Sequence, residues 1–133
     1  MHKRQIVICD CDAHALQDLS RALYQLSSAE VIQLQSGNEV LNYVRSTTSS
    51  PDLLILEQLL PDMKATELIP LLRIKDKLRE LPIILMSGET AHIAYAATKA
   101  GASDFLRKPI EMKELGEKIA AFLFEKGNKQ VSR

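Results

Sequence analysis

Residues 51–62 read Pro51-Asp52-Leu53-Leu54-Ile55-Leu56-Glu57-Gln58-Leu59-Leu60-Pro61-Asp62. Four consecutive aliphatic residues in a segment bounded by two prolines are too short for an ordinary helix and predict a strand buried on both faces. The run turns polar at Glu57. In an open parallel sheet, ligands gather outside the carboxyl ends of the strands, so a charge placed there makes Glu57 a candidate site residue.

On either side, the chain alternates short apolar runs with helical periodicity. Ile6-Val7-Ile8-Cys9 and Pro82-Ile83-Ile84-Leu85-Met86 predict two further buried strands. Val31-Ile32-Gln33-Leu34-Gln35 alternates apolar with polar and suits a sheet edge, and Ser103-Asp104-Phe105-Leu106 gives a fifth short strand. Leu16, Leu19, Leu23 and Leu26 place one apolar stripe on a helix over 13–27, with Asp12 as its N-cap. Ser36-Gly37-Asn38 reads as a turn before a helix carrying Val40, Leu41 and Val44, and Ser46 to Ser50 as a loop. A third helix begins near Thr66 and carries Leu68, Leu71, Leu72 and Leu78, provided that Pro70 lies in its first turns. Ile93 to Ala100 forms a fourth, stopped by Gly101. Met112, Leu115, Ile119, Phe122 and Leu123 mark a fifth, and Gly127-Asn128 opens a polar tail. Five strands alternating with five helices demand crossover connections, so the fold class is doubly wound α/β with a parallel sheet.

The 133 residues fit one domain, over 4–125, followed by a tail over 126–133. Lys plus Arg and Asp plus Glu each number 17, so no bulk charge draws the chain to nucleic acid or an anionic membrane. The basic start Met1-His2-Lys3-Arg4 is followed by an apolar run too short for export, and no stretch approaches a membrane span. Cys9 and Cys11 are too close in sequence for an unstrained bridge, which fits a reduced, cytoplasmic protein. They form no zinc signature, and the neighbouring carboxylates raise a thiol pKa, so Cys9 reads as core and Cys11 as loop. His2, His14 and His92 show no ligating spacing.

The strand ends bring together Asp10, Cys11 and Asp12 from the first strand, Glu57 from the third and Ser87 from the fourth, with Lys108-Pro109 after the fifth. Carboxylates, a hydroxyl and an ammonium are the groups that hold a hard cation and phosphoryl oxygens. Over residues 4 to 125 the chain resembles the receiver domain of bacterial two-component response regulators. The resemblance rests on Asp10-Cys11-Asp12, on Pro51 to Met63, on Ile83-Ile84-Leu85-Met86-Ser87-Gly88 and most specifically on Gly101-Ala102-Ser103-Asp104-Phe105-Leu106-Arg107-Lys108-Pro109. It implies a five-stranded sheet in the order 2-1-3-4-5. It also implies that Asp10 matches one of two magnesium-binding acids, that Ser87 and Lys108 contact a phosphoryl group, and that Phe105 is the aromatic residue that responds to the hydroxyl's movement.

The chain departs from the family pattern in three places, one of them a pair of residues. Glu57 stands where the phosphoacceptor aspartate belongs, and Cys11 where the second acid belongs. The extra methylene of Glu57 moves the nucleophile by roughly 1 Å, an error that costs about a hundredfold in rate. Magnesium prefers hard oxygen ligands, which Cys11 does not supply. Lys64-Ala65 replaces a glycine-containing pair, and alanine tolerates positive φ poorly, so this loop is expected to take another path.

These readings predict a stand-alone atypical receiver with no output domain, acting as a phosphorylation-independent protein-interaction module and not as an enzyme. The alternative is a low-activity phosphoacceptor that takes a phosphoryl group from a histidine kinase on Glu57 or, less well placed, Asp10. Glu57 either mimics the phosphorylated state against Lys108 or closes the mouth as an ordinary salt bridge. No cofactor is expected, and magnesium at most weakly, on Asp10 and Glu57. The resemblance suggests the surface from Ala91 to Glu125 as the docking or homodimer face, carrying Lys99, Asp104, Phe105, Arg107, Glu111 and Lys113.

Overall fold

The computed structural model describes residues 3–46, 51–89 and 91–124. The tail over 126–133, Glu125 at the end of the expected docking face, and most of the Ser46 to Ser50 loop lie outside them. Five strands, β1 (Gln5–Cys9), β2 (Glu30–Leu34), β3 (Leu53–Glu57), β4 (Ile83–Ser87) and β5 (Asp104–Arg107), alternate with α1 (Ala13–Leu26), α2 (Gly37–Ser46), α3 (Ala65–Arg73), α4 (Ala91–Ala100) and α5 (Met112–Ile119). The sheet is parallel throughout, in the order β2-β1-β3-β4-β5.

Side chains two residues apart along a strand share a face, and the sheet uses this to build two cores. Val7, Cys9, Leu54, Leu56, Ile83 and Leu85 pack beneath α2, α3 and α4. Ile6, Ile8, Leu53, Ile55, Ile84 and Met86 pack beneath α1 and α5. Every residue of β3 and β4 is buried, as the unbroken apolar runs predict, whereas the edge strand β2 has no buried residue.

Helix ends carry local signals. Asp12 caps α1 by accepting from the N–H groups of His14 at 2.9 Å and Ala15 at 3.3 Å. Gly101 ends α4 with φ +111°, a conformation that glycine adopts without a Cβ clash.

Two expectations need correction. Gly37 and Asn38 are the first residues of α2, not a turn, because Asp62 caps that helix from a distant loop. The third helix ends at Arg73, with Leu78 in a separate 3₁₀ turn over Asp76–Leu78 and Pro70 in the second helical turn. Arg73 stabilises this break: its guanidinium donates to the carbonyls of Leu78 at 2.8 Å, Leu81 at 2.6 Å and Gly101 at 2.8 Å. One side chain thus satisfies carbonyls that lie at or beyond the ends of helical segments and have no intrahelical partner.

Candidate functional site

Backbone pairing continues one residue past β1, β3 and β5 and thereby sets the mouth. Asp10 N–H donates to Leu34 O at 3.1 Å, Gln58 N–H to Met86 O at 2.9 Å and Lys108 N–H to Ser87 O at 2.9 Å. Asp10, Glu57, Ser87 and Lys108 are thereby gathered at one end of the sheet, as predicted. Asp10 (3 %), Glu57 (9 %) and Ser87 (1 %) are nearly removed from solvent.

The charged groups among them are mutually engaged. The Lys108 ammonium donates to Asp10 Oδ2 at 2.7 Å and also pairs with Glu57 Oε1. Asp10 Oδ1 accepts the Asp12 N–H at 3.0 Å, and Glu57 Oε2 accepts the Leu59 N–H at 3.3 Å. Burial by itself pulls the Lys108 pKa down. The hydrogen bonds and negative charges of Asp10 and Glu57 outweigh it and hold the ammonium above its ordinary value. The Ser87 hydroxyl accepts the Glu89 N–H at 3.0 Å.

Cys11 is exposed, and its thiol lies 4.0 Å from the Leu59 carbonyl. Cys9 is fully buried, within 3.5 Å of the Ser36 carbonyl, and burial together with nearby carboxylates pushes its thiol up to about 12. Both are free, which matches the reading of a core Cys9 and a loop Cys11. Asp12 directs its carboxylate at its own helix. Among the described residues, no three His, Cys, Asp or Glu side chains are grouped to hold a metal. The donors present do not suit magnesium: two carboxylates share one ammonium, and a soft thiol takes the place of a third hard oxygen.

Phe105 is half-buried at the sheet edge, opposite Leu85 and packed on the α2–α4 core. Lys99, Arg107, Glu111 and Lys113 are exposed, but Asp104 is tied down: its Oδ2 accepts from Lys118 Nζ at 2.9 Å. The β3–α3 loop reaches α3 without positive φ, with Lys64 extended at φ −85° and ψ 149°. Gln58 anchors it, accepting the Thr66 N–H at 3.2 Å and donating to Thr66 Oγ1 at 3.2 Å.

Asp62 makes a structural contact that the sequence reading does not contain. Its two carboxylate oxygens accept the N–H groups of Gly37 at 2.9 Å and Asn38 at 2.8 Å, joining the loop after β3 to the start of α2. A Cβ on Gly37 would lie 2.6 Å from Met63 Cγ, so a side chain there would require Met63 to move. The partners are 24 and 25 residues apart in sequence, and no local pattern announces them.

A doubly wound sheet with carboxylate, hydroxyl and ammonium converging at its carboxyl edge defines a receiver-type signalling module. The family model for the response regulator receiver domain matches residues 6–120, and the chain belongs to that family. It is 29 % identical over 129 residues to the transcriptional regulatory protein PrrA of Mycobacterium tuberculosis, covering 96 % of this chain and 53 % of that protein. It is 28 % identical over 114 residues to the two-component response regulator-like PRR1 of Oryza sativa subsp. japonica, covering 85 % of this chain and 22 % of that protein. The chemotaxis response regulator CheY4 of Vibrio cholerae shares the fold, with a TM-score of 0.82, 21 % identity and coverage of 92 % of this chain and 100 % of that one. The chain spans about half or less of the length of these two curated relatives.

Proposed function

We propose that this receiver transmits its signal by docking onto another protein, without aspartyl phosphorylation. The observation that carries the reading is the Lys108 ammonium held between Asp10 and Glu57. In this arrangement the phosphoryl-contacting lysine already has two anionic partners within the protein, and both oxygens of the third-strand carboxylate are engaged, one by Lys108 and one by the Leu59 N–H. Because a carboxylate carries less charge than a phosphoryl group, Glu57 mimics the phosphorylated state only in part. The thiol of Cys11 removes a hard ligand, so magnesium binding is weak.

The surface formed by α4, β5 and α5 is the proposed docking or homodimer face. Lys99, Arg107, Glu111 and Lys113 stand exposed on it, and Tyr95 is 68 % exposed with Lys99 Nζ 5.7 Å from its ring centroid. Asp104 serves that face by holding Lys118. Lys99→Ala and Arg107→Ala should weaken partner binding; full retention in both would exclude this face. Zero formal charge and two free cysteines support a protein partner met in a reducing, cytoplasmic compartment, with neither nucleic acid nor membrane. Among the described residues, no helix is long and apolar enough to cross a membrane.

Retention of Ser87 and Lys108 favours a second reading, slow phosphoryl transfer to Glu57. A carboxylate oxygen would attack phosphorus while the donor's P–O or P–N bond breaks and its carboxylate or imidazole leaves with the electron pair. Incubation with acetyl phosphate and magnesium, followed by intact mass measurement, separates the two. We expect no added phosphoryl mass; a gain lost in Glu57→Ala would establish the second reading.

A further inference from the structure

A cavity of about 440 Å³ lies between α1 and the segment that follows β5. Ala15 and Ala22 leave room on the α1 side, and Met86, Ile110 and Leu115 supply apolar walls. Asp10, Lys108 and Asp18 contribute the ionisable groups of the lining. Neither Glu57 nor Ser87 lines it. Asp10 and Lys108 therefore belong both to the strand-end site and to the lining of this cavity.

Small-molecule sites span about 300–1,000 Å³ and combine apolar walls with a few convergent polar groups. This cavity meets both conditions at the compact end of the range. Its charge then selects the ligand. The lining carries two carboxylates, Asp10 and Asp18, against one ammonium, Lys108, which is already shared with Glu57. Arg21, which is not part of the lining, pairs with Asp18 at 3.3 Å, and both side chains stay largely in solvent. An anion would compete with two carboxylates for Lys108. A cation meets carboxylate oxygens that still have lone pairs to offer.

We propose that this cavity binds a small amphiphilic ammonium compound, its apolar body between Ala22 and Leu115 and its protonated amine directed at Asp10 and Asp18. An amine drawing on Asp10 loosens the Asp10–Lys108 bond and leaves Lys108 to Glu57, so occupancy is sensed at the strand ends. The proposal rests on the lining of the cavity and stands whether or not Glu57 replaces phosphorylation.

Three probes sharing one ring system test it: tryptamine, uncharged 3-methylindole and indole-3-acetate, each titrated into the isotope-labelled full chain and followed by NMR. Tryptamine should give saturable shifts centred on Ala15, Ala22, Met86 and Met112, with affinity about tenfold above that of indole-3-acetate. Ala22→Leu, which fills the cavity, should abolish saturation. Asp18→Asn, at an exposed side chain that leaves the core untouched, should weaken tryptamine about threefold and leave 3-methylindole unchanged. Indole-3-acetate binding as tightly as tryptamine would overturn the proposal. So would shifts centred elsewhere, unaltered tryptamine affinity in Asp18→Asn, or no saturation by tryptamine.

Discussion

Lys108 Nζ lies 2.7 Å from Asp10 Oδ2 while pairing with Glu57, so one ammonium ties the end of β1 to the end of β3. Removing it leaves two nearly buried carboxylates facing each other. Cutting one partner from a fully buried pair costs about 3–5 kcal/mol. The Lys108 side chain keeps 28 % of its exposure, so the cost for Lys108→Met is expected to be about 2 kcal/mol. Urea unfolding measures it, and an unchanged midpoint would show that the triad contributes nothing to folding.

The same triad predicts an alkaline limit. The folded Lys108 pKa lies above the ordinary lysine value of 10.5. Its stabilisation is therefore complete below that value and is lost as pH rises through the higher folded one. Cys9 acts in the same direction from lower pH, because its thiol ionises near 9.0 when unfolded and near 12 when folded. The stability difference between wild type and Lys108→Met isolates the lysine: it should hold constant from pH 7 to 10 and shrink above that. A difference that grew with pH would contradict the raised pKa.

Strands β1, β3 and β4 were legible because burial on both faces leaves unbroken aliphatic runs, and α1 because Asp12 precedes a regular leucine stripe. The convergence of Asp10, Glu57, Ser87 and Lys108 followed from strand order, since parallel strands bring their carboxyl ends together. What escaped detection depends on pairings distant in sequence. Asp62 caps a helix 24 residues before it, and Arg73 gathers carbonyls as far as Gly101, which fixes the break before Leu78. Leu71 shows the same limit: its place in an apolar run suggested core, but it is 46 % exposed.

The two cysteines should separate chemically. Cys9 is fully buried with its pKa pushed up to about 12, whereas Cys11 is exposed. The thiolate is the reactive form. Iodoacetamide at neutral pH is expected to add once to the native protein, on Cys11, and twice in denaturant, as read by peptide mass mapping. Modification of native Cys9 would disprove its burial.

Asp62 supplies the cap of α2 from outside that helix. Slight burial pushes its carboxyl up, but the N–H groups of Gly37 and Asn38 outweigh this and hold it below the ordinary 3.8. Asp62→Ala should cost about 1 kcal/mol, the usual worth of an N-cap. With a depressed folded pKa, this contribution is present above 3.8 and fades as pH falls below it. Urea melts of both proteins at neutral pH and at pH 3 test this, and the gap should narrow in acid.

Restoring the acids is the sharpest probe of the pocket. Glu57→Asp shortens the carboxylate that now meets Lys108, and Cys11→Asp supplies a hard oxygen where a thiol faces Leu59. A ligand that binds only the folded state stabilises it in proportion to the logarithm of its occupancy ratio. At ten times the dissociation constant, magnesium should raise the melting temperature of the double variant by on the order of 4 °C. The wild-type shift should stay under about 1 °C. Both single variants should fall between, because each repairs one of two defects. A wild-type shift as large as that of the double variant would mean that Asp10 and Glu57 release Lys108 to take the cation, and the proposal of phosphorylation-independent signalling would lose its main support.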